Sequence, residues 1–135
     1  KQQVEENRRV MLAMMENQQS ASQRIQGLSV AYEMDTPDDE IVKVLVKTMN
    51  EDPNSNVRLA AMEALGKFSS EARVRSALIQ SLSSQKDPVV QIALIQLLVK
   101  MKEKGVVKQL EEMTKDASTL KAVKDEAYSG ILKLS

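Results

Sequence analysis

The chain has 135 residues, 42% hydrophobic and 28% charged, a balance that suits one folded domain with a continuous core. Nineteen basic residues match nineteen acidic ones, so the global positive excess with which nucleic-acid binders displace counterions is missing. Cysteine and histidine are both absent, which excludes thiol catalysis, imidazole acid–base chemistry, disulfides and the usual zinc sites.

Phe68, Tyr32 and Tyr128 are the only aromatic residues, and there are three prolines and four glycines. That composition favours helix-on-helix packing by aliphatic and methionine side chains. No signal peptide and no run of about 20 apolar residues occurs. The chain begins at Lys1 without a methionine, as a processed or excised fragment would, and any upstream anchor or signal would then lie outside this sequence.

In chain order, Val4, Met11, Met14, Ala21, Ile25 and Leu28 approximate a heptad stripe interrupted by Gln18. Residues 3–18 are expected to form a helix that caps the array behind it. The alternative is a helix that pairs with a partner or, through Met11, Met14 and Met15, with its own copy. Gln23-Arg24-Ile25-Gln26-Gly27-Leu28 overlays Val57-Arg58-Leu59-Ala60-Ala61-Met62 at a step of 34, so residues 1–34 read as a capping helix plus a divergent unit.

Residues 35–135 read as three helix-pair repeats. Val57 to Leu65 overlays Val90 to Leu98 at a spacing of 33, and a second step of 33 reaches Val123 to Ile131. Ile41, Leu45 and Met49 map onto Val74, Leu78 and Leu82 at the same interval, and Val106 to Leu110 continue the series with a shorter step. First helices are expected near 38–50, 71–84 and 104–115, with apolar residues at i, i+4 and i+8. Second helices are expected near 54–68, 88–103 and 118–134. Asp38 and either Ser69 or Ser70 are candidate N-caps, while Asp52-Pro53, Asp87-Pro88 and Asp116 mark the turns between paired helices.

DPNSNVRLAAMEALGKF, residues 52–68, resembles the second-helix signature of HEAT repeats, especially the short type also found in bilin-lyase-like proteins. The likeness continues, degraded, through DPVVQIALIQLLVKM and TLKAVKDEAYSGILKL. It implies an all-α fold, a right-handed α-α superhelix, and a scaffold or regulatory role. It also implies that Asp52 and Arg58 form the pair that ties the inter-helix turn to the next helix. Gln91 and Lys124 replace Arg58 in the later units, so the arginine ladder is incomplete.

The carboxylate groups Asp38-Asp39-Glu40, Glu111-Glu112 and Asp125-Glu126 do not read as catalytic, because neighbours on a helix point about 100° apart. No phosphate loop, nucleophile elbow or zincin pattern is present, so no enzyme, no cofactor and no metal is expected. Lys100, Lys102, Lys104 and Lys108 surround one turn but are diluted by Glu103, Glu111 and Glu112, without an aromatic platform.

The candidate partner-binding face lies on the second helices, away from the core stripe of Val57, Ala61, Ala64 and Leu65. Leu59, Met62, Ile92, Ile95 and Tyr128 would line a mixed apolar groove edged by Glu63, Gln96 and Lys124, accepting a protein or peptide. The competing expectation is that strong curvature lets these side chains bury one another, or that the N-terminal helix covers them. In VVQIALIQLLV, residues 89–99, Val90, Ala93, Leu94, Leu97 and Leu98 are expected core, with Gln91 and Gln96 at the wet edge.

The functional expectation is a non-catalytic protein-interaction domain. SASQRIQGLSVAYE, leading into the repeats, adds a resemblance to the HEAT-containing distal region of bacterial anti-sigma-like membrane proteins. That implies an extracytoplasmic regulatory domain anchored through a segment outside this chain, the alternative being a cytoplasmic protein. A nucleic-acid-binding HEAT-like protein and a homo-oligomeric structural protein are the other two readings.

Overall fold

The computed structural model describes residues 2–135, and among them every regular element is helical. The helices are α1 (Gln2–Met15), α2 (Ala21–Tyr32), α3 (Asp39–Glu51), α4 (Ser55–Lys67), α5 (Ala72–Ser84), α6 (Pro88–Lys100), α7 (Val107–Lys115) and α8 (Lys121–Leu134). A short 3-10 helix, Lys104–Val106, leads into α7. The chain divides into two compact units, one ending at Val74 and one starting at Arg75, so α5 begins in the first and continues in the second.

In the first unit α1 packs on α2, α3 on α4, and α2 on α4. The helix expected over 3–18 stops at Met15 and lies against α2 as the first member of a pair. Met11, Met15, Leu28 and Ala31 bury the join. Gly27 permits it: a Cβ there would stand 2.8 Å from the backbone nitrogen of Met15, closer than real contacts come.

The periodicity of α3 places Ile41, Leu45 and Met49 in the interior, and α4 contributes Val57, Ala61, Ala64 and Leu65, all fully buried. Full burial of an aliphatic side chain of this size stabilises by roughly 1.5–3 kcal/mol. Asp38 caps α3 as expected, accepting from the Ile41 N–H at 3.0 Å. Helix α5 starts at Ala72, which puts its flanking position at Glu71, after both of the expected serines.

In the second unit α6 packs on α8 and α7 on α8. Asp87 caps α6, accepting from the Val89 N–H at 3.0 Å, with Pro88 at the first helical position. At the far end of α6, Lys102 takes φ 58°, and the Glu103 N–H reaches back to the Leu98 carbonyl at 3.0 Å. That is a Schellman ending with lysine where glycine is usual. Val90, Leu94 and Leu98 are core as expected, whereas Ala93 and Leu97 are half-buried. In α8, Val123, Ala127 and Gly130 face inward.

Candidate functional site

In three of the four second helices the fourth residue does a common job. Arg24 donates to the Asn17 carbonyl at 2.9 Å, Arg58 to the Asp52 carbonyl at 2.5 Å, and Gln91 to the Gln85 carbonyl at 2.8 Å. Each acceptor lies just past the end of the preceding helix, where carbonyls have lost their helical partners. Position 124 holds the fourth such residue, Lys124, and its charge helps to keep the Asp116 carboxyl below the usual carboxylate range. The main cause of that lowering is the Ser118 hydroxyl, which donates to Asp116 at 2.7 Å.

The expected Asp52–Arg58 pair is therefore redistributed. Arg58 takes the backbone oxygen of Asp52, and the carboxylate is held by Arg24 in a fork of 2.7 and 3.1 Å. Both members of that pair are buried, and the carboxylate also accepts from the Asn54 N–H at 2.9 Å. Arg24 reaches Asp52 because its own turn lies one helix pair earlier in the chain. The pairing is structural, as the resemblance implied, but it links successive helix pairs through a residue of the divergent first unit.

The acidic triplet before and in α3 is an ion-pair clasp. Arg8 of α1 bonds Asp38 at 2.7 Å and Glu40 at 2.6 Å, and Arg73 bonds Asp39, Glu71 and the Pro37 carbonyl. The hydrogen bond from Arg8 holds the Asp38 carboxyl below the usual aspartate range, and Asp38 and Glu40 together raise the Arg8 guanidinium further. Among the described residues no group of three or more acidic side chains is arranged to hold a metal ion.

The residues expected to form the partner-binding face separate by burial. In the first unit Leu59 is half-buried, Glu63 exposed and Met62 buried. In the second unit Ile92 and Lys124 are half-buried, and Gln96 and Tyr128 exposed, with Gln96 donating to Glu126 at 3.3 Å. Ile95 is fully buried, its Cγ2 lying 3.2 Å from where a Cβ on Gly130 would be. Met62 and Ile95 thus belong to packing, Ile95 against α8. A glycine in the middle of α8 was the available signal for this close approach.

Two clefts repeat one location. In the first unit a cleft of about 330 Å³ lies by the C-terminal ends of α1 and α3, bordered by Glu16, Lys47, Thr48 and Asp52. In the second, a cleft of about 320 Å³ lies by the ends of α5 and α7, bordered by Ser83, Gln85, Gln109, Glu112 and Asp116. A shallower groove of about 210 Å³ lies between α2 and α4, with Leu28, Ser29, Tyr32, Glu33, Ala60 and Glu63 around it. Beside it, Lys67 bonds the Tyr32 and Met34 carbonyls and stands 5.0 Å from the centre of the Tyr32 ring.

Among the described residues no helix is long and apolar enough to cross a membrane. No curated protein and no solved structure matches the chain. The family model for HEAT repeats matches residues 9–98, from within α1 to near the end of α6, and lends nothing to the anti-sigma-like resemblance. With well over half its length matched, the chain belongs to the HEAT repeats, an α-α solenoid family that generally mediates protein–protein interaction.

Proposed function

We propose that the chain is a non-catalytic scaffold domain that binds a protein segment on the exposed face of its second helices. The observation that carries this reading is the α2–α4 groove. Its apolar surface is Tyr32 and Ala60, and two carboxylates, Glu33 and Glu63, for which no ion pair occurs among the described residues, stand at its rim. Such a surface suits an amphipathic helix or extended peptide with an aliphatic anchor and flanking lysine or arginine. Leu59 in this unit, and Ile92, Gln96, Lys124 and Tyr128 in the other, remain candidates for further contacts. Met62 and Ile95 do not, because they are buried. A role as the distal domain of a membrane-anchored bacterial regulator draws only on SASQRIQGLSVAYE and forms no part of this proposal.

Selection from a displayed random-peptide library tests it. Enriched peptides are expected to carry an apolar anchor beside basic residues, and to bind Glu63→Lys or Tyr32→Ser at least tenfold more weakly. Helical content of both variants, by circular dichroism, should equal that of the parent. Peptides that bind both variants as well as the parent would sink the reading.

A further inference from the structure

Asp52, Gln85 and Asp116 stand one residue past the ends of α3, α5 and α7, and each accepts from the N–H two residues on. Asp52 is satisfied within the chain. Arg24, the fourth residue of the preceding second helix, forks onto both of its carboxylate oxygens and donates its remaining arm to the Asn17 carbonyl. Paired in this way, Asp52 is buried.

The same relation recurs in the second unit with one member changed. Gln91 is the fourth residue of α6, and Asp116 is the carboxylate at the end of the first helix that follows. Gln91 donates to the Gln85 carbonyl at 2.8 Å, matching the bond from Arg24 to Asn17. It is shorter than arginine, however, and brings no charge to a carboxylate. Asp116 is left exposed. The bonds it accepts, from the Ser118 N–H at 2.9 Å and hydroxyl at 2.7 Å, both go to Oδ1, so Oδ2 has no hydrogen-bond partner among the described residues. Lys86 and Lys124 act on it only at longer range, and neither is ion-paired with it.

Gln91 and Asp116 border one cleft of about 320 Å³, within the roughly 300–1,000 Å³ of small-ligand pockets. Pro88, Met113 and Leu120 give it apolar surface, and Leu120 is 58% exposed. Of the charged side chains around it, Glu112 and Asp116 outweigh Lys86. The corresponding cleft of the first unit also borders Asp52, but there the carboxylate is already taken.

We propose that the second-unit cleft binds a guanidinium from outside the chain, as an arginine side chain presents it, which holds Asp116 as Arg24 holds Asp52. The planar fork pairs with both carboxylate oxygens, while the alkyl stem lies along Pro88, Met113 and Leu120. A lysine ammonium is a point charge and cannot make that fork. The site goes beyond the peptide-binding reading, since the α2–α4 groove belongs to the first unit.

Amide NMR of the isotope-labelled chain, titrated with N-acetyl-arginine methylamide, tests it. Shifts are expected at Gln91, Ser118 and Leu120 but not at Asn54, and the lysine analogue should bind roughly tenfold more weakly. Asp116→Asn keeps an oxygen for the Ser118 N–H, and should retain the helical content of the parent while binding roughly tenfold more weakly. Gln91→Arg supplies the guanidinium from within and should abolish binding. A short peptide with one arginine that binds more tightly than the isolated side chain places the ligand in a protein partner. Equal affinity makes it a free small guanidine, and either result supports the site. A parent that binds neither probe overturns the proposal. So do equal affinities for the arginine and lysine analogues, or an arginine affinity that Asp116→Asn or Gln91→Arg leaves unchanged.

Discussion

In the first unit the turn after α3 is closed by charge, whereas in the second unit the turn after α5 is closed by neutral amides. Asp52 accepts the Asn54 N–H at 2.9 Å on its side chain and the Arg58 side chain on its carbonyl. Gln85 stands in the same relation to the Asp87 N–H, at 3.4 Å, and to the Gln91 side chain. Both turns thus use a side-chain acceptor and a donor six residues later, ionic in the first unit and amide in the second. What charge adds in the first unit is the buried fork from Arg24, which ties the preceding helix pair to this turn.

The sharpest way to break this comparison is to delete the acceptor on each side. Asp52→Ala leaves the Arg24 guanidinium buried without its partner and should cost about 3–5 kcal/mol in urea unfolding. Gln85→Ala removes the acceptor of the Asp87 N–H and should cost about 1–3 kcal/mol. Equal losses would show that the fork contributes nothing beyond closing the turn. Next in size are the two interior glycines. Gly27→Ala drives a methyl group into the α1 backbone and should cost roughly 1–3 kcal/mol. Gly130→Ala meets only side-chain tips at 3.2–3.3 Å, and its helix propensity gain of about 1 kcal/mol should leave stability nearly unchanged.

Smaller again is Gln91→Ala, expected to lose about 0.5–1.5 kcal/mol, the net worth of one hydrogen bond to the Gln85 carbonyl. The last effect concerns pH. Asp38 has its folded-state pKa depressed by Arg8, so its contribution is complete above the ordinary aspartate value of about 4. It is lost as pH falls through the depressed value. Melting temperatures between pH 7 and pH 3 should fall further for the parent than for Arg8→Ala. The Asp116 contribution, set within the second unit by Ser118, should survive in that variant.

Most of the helical framework was legible from one period. The interval of 33 residues located α3 to α6 and α8 to within three residues at either end, and Asp38 and Asp87 announced their helix starts. The partner of Asp52 was not legible. Arg24 and Arg58 hold the same register, and nothing local says which of them takes the carboxylate and which the carbonyl. The candidate face was half legible for a related reason. Helical spacing places Met62, Ile95 and Tyr128 at one angular position, yet spacing alone does not say that Met62 and Ile95 are buried, Ile95 against α8. Tyr128, on the last helix of this chain, is the exposed one.

Three polar links that join one helix pair to the next within a unit have one feature in common, their reach along the chain. Arg8 to Asp38, Arg24 to Asp52 and Gln96 to Glu126 span 30, 28 and 30 residues, about one repeat each. Wherever such links dominate, the fate of a helix pair is decided by its immediate neighbours. Damage is therefore contained: a lesion at Asp52 weakens the turn it closes and the turn of Arg24 before it. Insertion or loss of a whole helix pair would re-form the same junctions between new neighbours. An architecture of this kind changes length by editing, without redesign of the repeats that remain.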